Sequence, residues 1–91
     1  MNNAYKQCLG EVLAERRRAA KINKRQLSMM VGISRLTIRK IENGDTNPSI
    51  DVLLRMTQGM GVPFADIVAE CESRLRALPE DSLDEPYVLT P

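Results

Sequence analysis

NKRQLSMMVGISRLTIRKIENG, residues Asn23 to Gly44, reads as two short helices joined by a tight turn. Asn23 suits an N-cap, because its side-chain oxygen can accept an amide of the first turn while Gln26, three residues on, reaches back to the Asn23 amide. The spacing predicts a helix over about 24–31, with Leu27 and Val31 at i and i+4 on one inward face. Ser28, beside Leu27, is a small residue where a neighbouring helix can come close. Gly32 is the expected left-handed stop, and Ile33 supplies the apolar contact that accompanies such a cap. Ser34 then caps a second helix over about 35–43. Ile38 and Ile41 point inward at i and i+3, so Arg35, Leu36, Arg39 and Lys40 face largely outward. Gly44 closes that helix.

Two helices separated by three or four residues, the second with a buried seam and a cationic outer side, fit a helix-turn-helix whose second element lies in the major groove of DNA. The string itself resembles the lambda repressor and Cro-like helix-turn-helix proteins, the XRE family. The matching residues are Leu27, Val31, Gly32, Ile33, Ser34, Thr37, Ile38, Ile41, Glu42, Asn43 and Gly44, then Asn47, Pro48 and Ser49. The likeness runs from about Lys6 to Val68. It departs at Lys24, where many relatives carry glutamine, and at Ser28, where alanine is usual. The first change makes a phosphate contact ionic. The second adds a hydroxyl that can bond back to the carbonyl four residues earlier.

Charge is divided along the chain. Residues 1–44 hold ten Lys or Arg against three acids, and residues 45–91 hold three against nine, so +7 and −6 hide behind a net charge of +1. A basic half still attracts phosphate within a Debye length of about 8 Å. Arg16, Arg17, Arg18 and Lys21 have two readings, as part of that attraction or as solvated cations suited to the dipole at a helix end. At 91 residues the chain is one small domain, able to bury roughly 60 % of its unfolded surface. Its three aromatics, Tyr5, Phe64 and Tyr87, leave an aliphatic and methionine-filled core.

Helix one is expected over Tyr5 to Ala20, where Tyr5, Cys8, Leu9, Val12 and Leu13 form one stripe. Asp45 to Ser49 form a polar loop, with Pro48 holding Asn47 extended and Ser49 as the next cap. Helix four follows over Ile50 to Met60, burying Val52, Leu53, Met56 and Met60, and stops at Gly61. Helix five starts near Phe64 after Pro63. Its stripe continues through Ile67, Val68, Cys71 and Leu75 to Leu78, past the core such a small domain can cover, so Cys71, Leu75 and Leu78 are expected at a homodimer contact. The alternative folds this extension onto the chain's own helix one. From Pro79 the sequence PEDSLDEPYVLTP is acidic and aperiodic, an expected tail.

The expected architecture is all-α: a compact five-helix lambda repressor-like domain with an extended fifth helix and an acidic C-terminal tail. Its divisions are 1–69 for DNA binding, 70–78 for the helix five extension and 79–91 for the tail. Cys8 and Cys71 fall on apolar stripes and are expected in the core. With no histidine in the chain, two cysteines cannot complete a zinc site, so no metal and no cofactor are expected. The chain shows no leader and no apolar run of about 18 residues, which points to a cytoplasmic protein without a membrane partner. Acid-base and covalent catalytic constellations are absent, so an enzyme is not expected.

The resemblance implies base contacts from the first, second and sixth positions of the recognition helix, here Arg35, Leu36 and Lys40. Arg35 can take O6 and N7 of guanine together, and Leu36 can lie on a thymine methyl, although an exposed leucine is ordinary on any surface. It implies phosphate contacts from Lys24, Arg25, Thr37, Arg39 and Asn43, the last with its neighbouring amides. Arg39 has a structural alternative in Glu42 at i+3. The function implied is a double-stranded DNA-binding transcriptional regulator, a repressor acting as a homodimer on an inverted-repeat operator. An alternative is an antitoxin that binds its own promoter and a partner toxin.

Overall fold

The computed structural model describes residues 3–77, and its chain order is five α-helices: α1 (Asn3–Ala19), α2 (Lys24–Val31), α3 (Arg35–Glu42), α4 (Ile50–Met60) and α5 (Phe64–Arg76). No strand occurs among the described residues. The expected all-α class and element order hold. The boundaries move slightly, because α1 begins at Asn3 and ends one residue early, and α5 ends at Arg76 with Ala77 as its cap. Leu78 and the expected tail over 79–91 lie outside the described residues.

Local signals produce these elements as read. The Gln26 amide donates to Asn23 Oδ1 at 2.7 Å and the Asn23 amide to Gln26 Oε1 at 2.8 Å, a complete capping box. Ser49 Oγ accepts the Val52 amide at 3.1 Å. Gly32, with φ of 73°, turns the chain from α2 toward α3 through a conformation that costs other L-residues energy.

The core lies where all five helices meet. Leu13, Leu27, Ile38, Ile41, Met56 and Ile67 are fully buried there, each contributing about 1.5–3 kcal/mol of burial. Two glycines inside helices set the crossing distances. A methyl on Gly10 would lie 2.6 Å from the Glu42 carbonyl oxygen and closer still to that of Ile41, so α1 meets the end of α3 backbone to backbone. A methyl on Gly59 would lie 2.5 Å from Val31 Cγ1 and 3.2 Å from Leu27 Cδ1, so α4 supplies a small residue where it meets α2.

The fifth helix corrects one expectation. Cys71 is fully buried by the single chain, in the same cluster as Cys8 of α1, and Leu75 is half-buried against that cluster. Arg74 fixes the packing, reaching Glu15 of α1 at 2.5 Å and 3.1 Å while its Nε holds Glu70 at 2.8 Å. The extension therefore folds onto helix one, and the reason for expecting a partner over Cys71 falls away. Burial pushes the Cys71 thiol up to about 12, and the neighbouring Cys8 adds to the shift. No helix among the described residues is long and apolar enough to cross a membrane.

Candidate nucleic-acid interface

The cap at Ser34 fixes how α3 leaves the turn. Its Oγ accepts the Thr37 amide at 3.1 Å and donates to Thr37 Oγ1 at 2.9 Å. That leaves the Thr37 proton for an outside acceptor. Arg35 and Leu36 follow in the exposed first turn of α3, opposite the start of α2. Between the two N-termini runs an open cleft of about 390 Å³, lined by Asn23, Lys24, Arg25, Arg35, Leu36 and Arg39. Five of the eight residues assigned to DNA contact thus meet at one place.

The other three lie outside this lining. Lys40 is exposed on the outer side of α3, Thr37 is half-buried at the Ser34 cap, and Asn43 is exposed at the far end. The backbone amides around Asn43 are not available, which corrects their expected share in phosphate binding. The Asn43 amide bonds the Arg39 carbonyl at 2.9 Å, Gly44 that of Ile41 at 3.1 Å and Asp45 that of Lys40 at 2.8 Å. Closing the helix end consumes them. At the start of α2 the amides of Lys24 and Arg25 precede the first intrahelical bond, Leu27 N to the Asn23 carbonyl, and they carry the positive end of the helix dipole.

Electrostatically the cleft is unneutralised. Among the described residues Lys24, Arg25, Arg35, Arg39 and Lys40 enter no ion pair. The alternative partner for Arg39 is already engaged, since both oxygens of Glu42 are held by Arg17, Nε at 2.7 Å and Nη2 at 3.0 Å. Leu36, at 51 % exposure, is the apolar member of the cationic row.

Arg17 is the residue that sequence reasoning missed. Read there as one of four basic residues ending helix one, it is buried, and its Nη1 also donates to the Ile22 carbonyl at 3.0 Å. One guanidinium so ties α1 to the last turn of α3 and to the turn that presents Asn23. A signal was present: Arg17 continues the Leu9–Leu13 stripe at i+4 spacing, and Glu42 stands at i+4 from buried Ile38. A charge on each of two apolar stripes suggests that the two charges meet. Cys71 and Leu75, expected at a dimer contact, lie on α5 away from the cleft lining, and Leu78 lies outside the described residues. No group of acids and cysteines that could hold a metal occurs among the described residues.

Comparison with known proteins gives the same reading of the fold. A helix-turn-helix family model matches residues 13–67. The chain is 36 % identical over 73 residues to the uncharacterized HTH-type transcriptional regulator RghRB of Bacillus subtilis, a match covering 79 % of this chain and 52 % of that protein. It is 35 % identical over 89 residues to a protein of Methanosarcina barkeri named as an HTH-type transcriptional regulatory protein, covering 90 % of this chain and 27 % of that one. The chain therefore spans between about a quarter and a half of the length of these relatives. Among solved structures, the clp gene regulator ClgR from Corynebacterium glutamicum superposes with a TM-score of 0.76 at 23 % identity, over 88 % of this chain and 87 % of that one. At that identity the likeness speaks for the fold alone.

Proposed function

The chain belongs to the helix-turn-helix family of DNA-binding transcriptional regulators, of the Cro/C1 type, and from this premise we propose that it reads a specific duplex sequence with α3, as a homodimeric repressor on an inverted-repeat operator. The observation that carries the reading is the cleft. Arg25, Arg35 and Arg39 are exposed there and Lys24 half-buried, none of them in an ion pair among the described residues, while Ile38 and Ile41 of α3 are sealed in the core.

In the proposed complex the outer side of α3 enters the major groove, about 12 Å wide and able to admit one helix. Arg35 reads guanine through O6 and N7, Leu36 lies against a thymine methyl, and Lys40 reaches a further base edge. Lys24 and Arg25 grip the backbone at the α2 N-terminus, where the free amides and helix dipole already favour an anion. Thr37 donates its free hydroxyl proton to a phosphate oxygen, and Arg39 and the Asn43 side chain hold the flanks. With Cys71 covered within the chain, a homodimer contact would use the exposed edge of Leu75 and the residues that follow it. Two heads related by a twofold axis would then meet half-sites about 34–36 Å apart.

The test is selection of bound duplexes from a random pool, then titration of the selected site and its single-base variants across salt. Arg35→Ala is expected to lose about 1–3 kcal/mol of discrimination at one position of each half-site. Lys24→Ala is expected to weaken all sequences alike and to reduce the salt slope by about one. Equal loss on every sequence for Arg35→Ala would contradict the base-reading assignment, and failure to enrich any sequence would contradict specific recognition altogether.

A further inference from the structure

The turn from α1 into α2 is closed on a lysine. The Ile22 amide donates to the Arg17 carbonyl at 3.2 Å and the Lys21 amide to that of Arg18 at 2.9 Å, the paired bonds that end a helix when the residue after its cap turns left-handed. Lys21 takes that conformation with φ of 63°, and among the described residues it is the only one other than glycine to have a positive φ. The same pair of bonds ends α3 on Gly44, Asp45 to Lys40 at 2.8 Å with Gly44 to Ile41 at 3.1 Å. It ends α4 on Gly61, Val62 to Thr57 at 2.9 Å with Gly61 to Gln58 at 3.1 Å. A side chain in this place costs energy, because its Cβ crowds the following carbonyl oxygen.

Nothing within the domain repays that cost. Lys21 is exposed, so packing gives no reason for a side chain there, and its ammonium enters no ion pair among the described residues. A strained residue that the fold does not need points to a use outside it. The position suggests which use. Lys21 stands two residues before Asn23 and three before Lys24, both in the cleft lining. Two residues of chain span at most about 7 Å, inside a Debye length of about 8 Å. Arg17, through its bond to the Ile22 carbonyl at 3.0 Å, holds the turn in place.

We infer that Lys21 binds a backbone phosphate of the duplex next to the one held at the start of α2, carrying the cationic edge of Lys24 and Arg25 beyond the cleft. The inference rests on the DNA-binding reading above. The contact is ionic, so it strengthens binding to any sequence and reads no base.

The experiment compares wild type with Lys21→Gly, Lys21→Gln, Lys21→Arg and Arg76→Gln, the last removing an exposed charge at the end of α5. Thermal unfolding gives stability, and anisotropy gives affinity for a generic labelled duplex across salt. Lys21→Gly is expected to unfold about 2–8 °C higher, since glycine relieves the backbone. It is nevertheless expected to bind duplex more weakly, with a loss about 3.5-fold larger at 50 mM salt than at 200 mM, the signature of one lost phosphate contact. Lys21→Gln should show the same loss of binding, and Lys21→Arg should stay within about two-fold of wild type, because it keeps the charge.

Wild-type affinity in Lys21→Gly or in Lys21→Gln overturns the inference. So does an equal salt-dependent loss in Arg76→Gln, which is attraction by net charge, and so does a lowered midpoint in Lys21→Gly, which makes the lysine a prop of the turn. Wild type that binds no duplex at 50 mM salt is instead a failure of the DNA-binding reading and takes this inference with it.

Discussion

Replacing Glu42 with leucine tests whether a buried charge pair holds the recognition helix in place. The side chains of Arg17 and Glu42 are 8 % and 5 % exposed, so removing the carboxylate strands a guanidinium in the interior. Breaking such a pair from one side costs about 3–5 kcal/mol. At roughly 0.05–0.15 kcal/mol per residue a 91-residue chain has about 5–14 kcal/mol in total. With each kcal/mol worth about 4–8 °C at this size, the midpoint should fall by at least about 12 °C. Arg17→Met should cost about 1 kcal/mol more, because the Ile22 carbonyl also loses its donor. The double variant Arg17→Met/Glu42→Leu exchanges the pair for apolar groups and should lose only about 1–2 kcal/mol, mostly at that carbonyl. Thermal and urea unfolding of the four proteins, followed by far-UV circular dichroism, measures the coupling directly. Single variants within about 1 kcal/mol of wild type, or a double variant equal to the sum of the singles, would refute the reasoning.

Gly10→Ala forces a methyl against the carbonyls of Ile41 and Glu42, which are backbone and cannot swing aside, so a loss of about 1–3 kcal/mol is expected in urea unfolding. Gly59→Ala meets mobile side-chain ends and should cost less. The Arg74 hydrogen bonds hold the Glu15 carboxyl below its ordinary value of 4.5. A lowered carboxylate pKa adds stability above that ordinary value and loses it as pH falls through the folded one. Wild type should therefore lose its advantage over Glu15→Gln below about pH 4.5 in stability curves at low salt, and a pH-independent difference would contradict the pair's role. Neither Cys8 nor Cys71 should react with a thiol reagent at pH 8 in the native state, both being buried with Cys71 raised to about 12. Both should react once the protein is unfolded in urea.

What the sequence determined by itself was everything that local chemistry decides. Asn23, Ser34 and Ser49 cap because their side-chain oxygens reach amides two or three residues on, Gly32 ends α2 because it tolerates a left-handed backbone, and the i, i+3, i+4 spacing of Leu27, Ile38 and Ile41 selects the buried faces. The outer side of α3 follows from the same periodicity, which leaves Arg35, Leu36, Arg39 and Lys40 exposed. Tertiary structure decided what depends on residues far apart in the chain. Arg17 lies 25 positions from Glu42, and Arg74 lies 59 from Glu15. The place of Arg17 and Glu42 on apolar stripes marks each as a charge that needs a partner, but which charged side chain it finds depends on how two helices cross. The crossings in turn rest on Gly10 and Gly59, whose missing side chains carry no periodic signal. The same distance dependence misdirected the reading of α5: a stripe shows that Cys71 must be covered, and only the packing of α5 on α1 shows that its own chain covers it.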